Sequence, residues 1–225
     1  MIIAIDGPAG SGKSTIASCL AERLGFCKLD TGAMYRSCAW AALERGVDLD
    51  DQEALGNLAH TLDIKFTIAQ NAPVSISVDG VDVTEAIRTP RIDRNVSRVA
   101  ACPAVREAML GVQRKAAEGA NIIAEGRDIG TVVFPNADLK IFMTADPRQR
   151  AIRRVLQRYN GITPAQDIFD AEVESTLADI RARDAADSSR ETAPLVAAED
   201  AIHIDSSTMT IEEVLDRIVA LVQER

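Results

Sequence analysis

Histidine and cysteine are scarce in this chain of 225 residues, and each scarcity excludes a class of chemistry. Only two histidines occur, and neither has an obvious nucleophile partner, so a hydrolytic triad is not supported. The four cysteines match neither a C-x-x-C pair nor a zinc-binding pattern. We expect them to be reduced, mostly buried, small hydrophobic residues.

Long apolar runs are also missing. No stretch resembles a membrane span, and the N-terminus enters a strand without the basic region, apolar core and cleavage site of an export signal, so we expect a cytoplasmic protein. The net charge of −9 argues against nucleic-acid polymers and anionic membrane surfaces as partners, while small phosphates stay possible. A hydrophobic content of 47% suits one compact domain over residues 1–225, which we expect to be a monomer.

Lysine is rare among the basic residues. Lysine and arginine total 25, of which only five are lysine and the other twenty are arginine. Arginine suits planar, bidentate recognition of phosphate oxygens, although genomic base composition would explain the bias equally well.

The most informative segment is a glycine-rich loop that follows an apolar N-terminal strand. Residues 7–14 read G-P-A-G-S-G-K-S, the pattern of a P-loop. Its glycines allow positive φ and turn backbone N–H groups toward nucleotide phosphates, and the next helix adds its N-terminal dipole. We expect Lys13 to reach the β and γ oxygens and the Ser14 hydroxyl to bind Mg2+. The predicted ATP-binding residues are Gly7, Pro8, Ala9, Gly10, Ser11, Gly12, Lys13, Ser14 and Thr15.

Two other interpretations of this loop are weaker. A glycine-rich turn that merely joins a strand to a helix has no use for Lys13 and Ser14. A dinucleotide-binding fingerprint requires a last glycine where the chain has Thr15. The loop therefore predicts a site for a nucleoside triphosphate with magnesium.

Strands alternate with helices along the chain, which predicts an α/β fold: a five-stranded parallel sheet with helices on both faces. The strands are expected at about 1–6, 26–29, 121–125, 138–144 and 201–205. After the second strand we expect an apolar helix from about Met34 to Leu43.

Two further parts of the chain depart from this alternation. A small antiparallel β patch, with a hairpin at Asp79-Gly80, predicts an inserted lobe at about 63–101. Its alternating apolar residues are Ile64, Phe66, Ile68, Val74, Ile76 and Val78. Two arginine-bearing helices, joined at Asn160-Gly161 and with a capping-box pattern at Thr163, predict a lid at about 153–190 that closes over phosphates. A charged surface hairpin is the alternative.

Two segments follow strands at the sheet edge that the P-loop occupies. Residues 30–36 read D-T-G-A-M-Y-R, and residues 126–130 read G-R-D-I-G. Because ligands bind at the carboxyl ends of parallel strands, Arg36 and Arg127 are candidates for a second phosphate site. A solvated capping turn is the alternative for Arg36, and a surface ion pair for Arg127 with Asp128. Together with the P-loop they predict phosphoryl transfer to an anionic acceptor, which hardly needs a strong base.

These segments resemble the bacterial cytidylate kinases in their order and spacing. The resemblance rests on the P-loop, residues 30–36, residues 126–135 and the run from Arg183 to Arg190, and it covers nearly the whole chain. It implies transfer of the γ-phosphoryl group of ATP to CMP or dCMP in pyrimidine nucleotide metabolism, with the inserted lobe binding the acceptor. The alternatives are a P-loop kinase of another small phosphate or acid acceptor, and a non-enzymatic nucleotide switch or binding module.

The resemblance also implies residue roles. The implied acceptor-binding residues are Thr31, Arg36 and Arg127 for the phosphate, Ser97, Arg106 and Asp128 for the base, and Asp187 and Arg190 for the sugar. An aspartate can accept from the exocyclic amine of cytosine, whereas uracil presents a carbonyl there. The implied catalytic residues are Lys13, Arg127, Arg154 and Arg183. Rivals for the last two are Arg150, Arg153, Arg158 and Arg181, and Glu125 is a candidate for a water-mediated magnesium contact.

Overall fold

The computed structural model describes residues 1–67 and 75–225. The chain folds as two compact units, Met1–Leu29 with Ala117–Arg225 and, separately, Asp30–Ala116. The predicted inserted lobe falls within the second unit, and Ile68 and Val74 of its predicted alternation lie outside the described residues. The lid boundaries stay a prediction.

Strands and helices of the described residues are numbered in chain order. The strands are β1 Ile2–Asp6, β2 Cys27–Asp30, β3 Ile64–Thr67, β4 Ser75–Val78, β5 Val81–Asp82, β6 Ile122–Gly126, β7 Leu139–Thr144 and β8 Ile202–Asp205. The helices are α1 Lys13–Leu24, α2 Thr31–Glu44, α3 Gln52–Thr61, α4 Pro90–Ala101, α5 Pro103–Ala116, α6 Pro147–Arg158, α7 Gln166–Ser188 and α8 Ile211–Gln223.

The first unit is built on the predicted five-stranded sheet, with the strand order β2-β6-β1-β7-β8. The strand β1 lies at its centre and pairs in parallel with β6 and β7. Ile3, Ala4 and Ile5 are fully buried, which explains why β1 is a continuous apolar run instead of an alternating one. Leu20 of α1 and Ile218 of α8 pack into the same apolar core. The predicted fold class is confirmed.

Helix ends in this unit follow local sequence signals in two cases and depart from them in one. Asp146 caps α6 by accepting from Arg148 N and Gln149 N, and Thr210 forms a capping box with Glu213 at α8. The capping box predicted at Thr163 is wrong. The helix α7 begins at Gln166, and its N-cap Ala165 supplies no side-chain hydrogen bond.

The second unit combines helices with the antiparallel sheet β3-β4-β5. Asp79 and Gly80 have φ values of 50° and 81°, so the predicted hairpin turn is confirmed. The helix α2 begins at Thr31 and not at about Met34, because the Asp30 carboxylate caps it by accepting from Ala33 N at 2.9 Å. Residues 31–33, which precede the predicted start, are therefore helical as well. The helices α3 and α4 were not predicted.

Among the helices within residues 1–67 and 75–225, none is both long enough and apolar enough to cross a membrane.

Candidate active site

The P-loop joins β1 to α1, and its backbone has the conformation expected of an anion cradle. Gly7, Gly10 and Gly12 all have positive φ. A Cβ atom at Gly7 would lie 1.9 Å from the Met143 carbonyl oxygen of β7, so a side chain there has no room. The loop is thus pressed against the carboxyl end of the neighbouring strand, where parallel sheets bind ligands.

Buried side chains from distant parts of the first unit hold the loop in place. Ser206 Oγ donates to the Ser11 carbonyl at 3.0 Å, and an Arg150 guanidinium nitrogen donates to the Ala9 carbonyl at 2.9 Å. Ser11 Oγ donates to the Pro8 carbonyl at 3.1 Å. These bonds occupy carbonyl groups of the loop, and the positive-φ glycines turn its amides toward the cradle.

Lys13 is buried at the start of α1. Its ammonium donates to the Pro8 carbonyl at 2.7 Å. Burial lowers the pKa of Lys13 well below its ordinary value, the charges of Arg127 and Arg183 lower it further, and Glu125 and Asp6 act in the opposite direction. Lys13, Arg127 and Arg183 are therefore close enough for their charges to interact. Three cations gathered beside one P-loop favour binding of a polyanion.

Asp6 connects the P-loop strand to the segment that carries Arg127 and Asp128. Its carboxylate accepts from Ile129 N at 2.8 Å and from Gly130 N at 2.7 Å. Burial raises the pKa of Asp6 from 3.8 to about 6, although these two amide hydrogen bonds lower it. We did not single out Asp6 from the sequence, because it reads as the last residue of an apolar strand.

Arg127 extends from the end of β6 toward Asp187 of α7. Arg127 Nε donates to Asp187 Oδ2 at 3.0 Å, and Arg183 Nε lies 3.9 Å from the same oxygen. Arg190 Nε donates to the Asp187 carbonyl at 3.2 Å. Burial raises the pKa of Asp187, but the charges of Arg127, Arg183 and Arg190 outweigh it and leave the pKa below its ordinary value. The structure brings these four predicted site residues together.

The rival lid arginines are mostly engaged elsewhere. Arg150, 3% exposed, pairs with Asp184 at 2.6 Å and donates to the Ala145 carbonyl. Arg153 donates to the Ser206 carbonyl at 2.6 Å, and Arg158 pairs with Glu172 at 3.2 Å. Arg181 is exposed, whereas Arg154 and Arg183 are half-buried. The contacts of Arg150 and Arg153 give them a structural role beside the P-loop.

The second unit holds the other four predicted acceptor ligands. On α2, Thr31 is buried, and Arg36 lies 3.4 Å from Asp30 Oδ2. Arg106 of α5 is buried, donates to the Ala100 carbonyl at 3.2 Å and stacks its guanidinium carbon 5.4 Å from the centre of the Tyr35 ring. Ser97 lies half-buried on α4. Within this unit, Tyr35 joins the helix of Arg36 to the side chain of Arg106.

Oxygen atoms of Ser14 and Glu125 approach the Lys28 ammonium beside the first turn of α1. The Lys28 ammonium lies 2.8 Å from Ser14 Oγ and 3.0 Å from Glu125 Oε1. The two oxygens thus converge on one positive charge. Hydroxyl and carboxylate oxygens are also the ligand types that Mg2+ accepts.

The site combines a glycine cradle at the end of the central parallel strand with a buried lysine and neighbouring arginines. This combination defines a P-loop phosphotransferase. The cytidylate kinase family model matches residues 3–224, and the chain belongs to that family.

Known relatives span the whole chain. It is 49% identical over 225 residues to the cytidylate kinase of Stutzerimonas stutzeri (strain A1501), covering 100% of this chain and 96% of that protein. It is 47% identical to the cytidylate kinase of Azotobacter vinelandii (strain DJ / ATCC BAA-1303), covering 100% and 96%. Among solved structures, an uncharacterized protein from Eubacterium ventriosum ATCC 27560 matches with a TM-score of 0.51 at 14% identity, covering 100% of this chain and 99% of that one, which supports the fold alone.

Proposed function

We propose that this chain phosphorylates CMP and dCMP with MgATP, giving CDP or dCDP and ADP. The observation that carries the proposal is the cationic cluster beside the P-loop, where Lys13 is buried in the loop and Arg127 and Arg183 approach one Asp187 oxygen at 3.0 Å and 3.9 Å. Repulsion between two phosphate-bearing substrates is the main obstacle to bringing them together in a site that excludes water. Fixed guanidinium and ammonium groups remove that obstacle, and they also stabilise charge on the transferred phosphoryl group.

Each of the site residues has a proposed part in this reaction. The loop of Gly7 to Thr15 holds the phosphates of ATP, and Lys13 contacts the β and γ oxygens. Arg127, Arg154 and Arg183 contact the transferred phosphoryl group and the acceptor phosphate. An ionised acceptor oxygen is already a nucleophile, so the reaction depends on alignment and charge, and Asp6 fixes the amides of Ile129 and Gly130 beside Arg127.

The acceptor is proposed to be read by its phosphate, sugar and base. Thr31 and Arg36 hold the phosphate, while Asp187 and Arg190 contact the sugar. Asp128 accepts from the exocyclic amine of cytosine, and Arg106 donates to the ring acceptors, with Ser97 beside it on the preceding helix. Asp128 and Arg106 are both buried, so a base that leaves either unpaired loses binding energy.

Magnesium fits the residues present. Ser14 Oγ and Glu125 Oε1 lie 2.8 Å and 3.0 Å from a single cationic group, so hydroxyl and carboxylate oxygens already face a positive charge. Ser14 would bind the ion directly and Glu125 through water. The bound ion would neutralise phosphate charge. Cytoplasmic location and a monomeric state stay predictions.

The test is ADP release from MgATP in the presence of CMP, dCMP, UMP, AMP or GMP. We expect fast release with CMP and dCMP and slow release with the purine nucleotides. Equal rates with CMP and AMP would contradict base reading by Asp128 and Arg106. No release with any of the five would indicate a different acceptor or a binding protein.

A further inference from the structure

Lys28, on the strand β2, has contacts that the proposed reaction does not use. Besides the contacts with Ser14 Oγ and Glu125, its ammonium donates to Ser18 Oγ at 3.0 Å and to the Ser14 carbonyl at 3.1 Å. The side chain is 18% exposed, and that of Glu125 is 7% exposed. Four oxygens therefore surround one ammonium beside the P-loop helix.

The ammonium lies between the two residues that are proposed to hold magnesium. A Mg2+ ion binds its oxygen ligands at about 2.0–2.1 Å. Because Lys28 Nζ is 2.8 Å from Ser14 Oγ, an ion bound to that hydroxyl would come within about 5 Å of the ammonium. The cations would repel each other and would compete for the same hydroxyl oxygen and the same carboxylate.

We propose that Lys28 is a positioning residue that acts as the resident cation of the magnesium site. It holds Ser14 and Glu125 in the metal-free protein, and metal binding at Ser14 requires the ammonium to withdraw. The inference rests on the proposed function, since it concerns the magnesium that accompanies the nucleotide. A purely structural ion pair would stabilise the protein without opposing the metal.

The consequence is a pair of opposite effects when the charge is removed. In Lys28→Met, ADP without metal loses a nearby positive charge, so its dissociation constant should rise about threefold. MgADP no longer meets a competing cation, so its dissociation constant should fall about threefold. The ratio of the two constants should therefore increase about tenfold. A structural defect would weaken both complexes, so the two dissociation constants would not shift in opposite directions.

The experiment is calorimetric titration of ADP into the full chain, once with EDTA and once with excess MgCl2. It compares the unmodified protein, Lys28→Met and the control Lys115→Met, which removes an exposed lysine from α5. Melting curves establish that each variant is folded. If Lys28→Met does not fold, Lys28→Gln replaces it, because glutamine keeps a hydrogen-bond donor and removes the charge.

Opposite shifts in Lys28→Met, with both constants unchanged in Lys115→Met, support the proposal. Shifts in the same direction, or no change in the ratio, overturn it. The proposed function is tested separately by CMP turnover in the unmodified protein. Normal turnover with an unchanged ratio would therefore refute only the role of Lys28.

Discussion

The buried carboxylate of Asp6 should contribute to the free energy of unfolding a part that decreases as the pH rises, and substitution by asparagine should remove that part. The pKa of Asp6 is raised from 3.8 to about 6 in the folded chain. The stabilising contribution of the protonated Asp6 carboxyl is fully present below pH 3.8 and is lost as the pH rises through about 6. At about 1.4 kcal/mol per pKa unit, ionising Asp6 costs the folded state about 3 kcal/mol.

The measurement is urea unfolding of the unmodified protein and of Asp6→Asn at several pH values. Relative to the variant, the unmodified protein should lose about 2 kcal/mol of unfolding free energy between about pH 4 and pH 8. The asparagine still offers one oxygen to Ile129 N or Gly130 N, so the lost hydrogen bond adds a nearly constant offset. The slope with pH, and not the offset, carries the information.

A matched control is available at an exposed carboxylate. The Ser207 hydroxyl and amide lower the pKa of Asp205, so its contribution is present above 3.8 and is lost only in more acid solution. Asp205→Asn should therefore give a constant difference from the unmodified protein between about pH 5 and pH 8. If Asp6→Asn also gave a constant difference over that range, burial would not govern the ionisation of Asp6.

Three further substitutions test the site. Arg36→Ala should weaken acceptor binding by about 1.5–3 kcal/mol, the contribution of a charged hydrogen bond. Unchanged acceptor affinity in calorimetry would refute the proposed role of Arg36. Asp128→Ala should lower turnover of CMP far more than it lowers the melting temperature, and a collapsed melting temperature with normal activity per folded molecule would contradict this. Arg150→Met removes the donor to the Ala9 carbonyl and leaves Asp184 without its buried partner, so the free energy of unfolding in urea should fall by about 3–5 kcal/mol. A decrease below about 1 kcal/mol would refute the structural role of Arg150 beside the P-loop.

Local sequence patterns predicted the sheet and the P-loop because both depend on neighbouring residues. A buried strand next to a Gly-rich loop is recognisable within about 15 residues. The helix α4 was missed although it carries comparable signals. Pro90 stands at its first turn, and Ile92, Val96 and Val99 are buried at helical spacing. Its three arginines, Arg91, Arg94 and Arg98, interrupt the apolar residues and obscure their periodicity.

The residues that hold the site together could not be predicted in this way. Ser206 contacts Ser11 across 195 positions of sequence, and Asp6 contacts Gly130 across 124. Such pairs meet only after the sheet has placed β1 beside its neighbours, so the sequence around either residue does not predict the contact. The start of α2 was also predicted too late, because Asp30 and Gly32 favour a turn locally, whereas Asp30 caps a helix that begins at Thr31.

The electrostatic balance of the first unit explains how a chain of net charge −9 can hold an anion site. Lys13, Arg127 and Arg183 repel one another. Burial lowers the pKa of Lys13, and the repulsion by the two arginines lowers it further. Asp187 offsets it by pairing with Arg127 and attracting Arg183. Because the Asp187 carboxylate partly balances these cations, Arg127 and Arg183 are held in defined orientations before substrate binds. Their proposed role in phosphoryl transfer therefore requires little reorganisation.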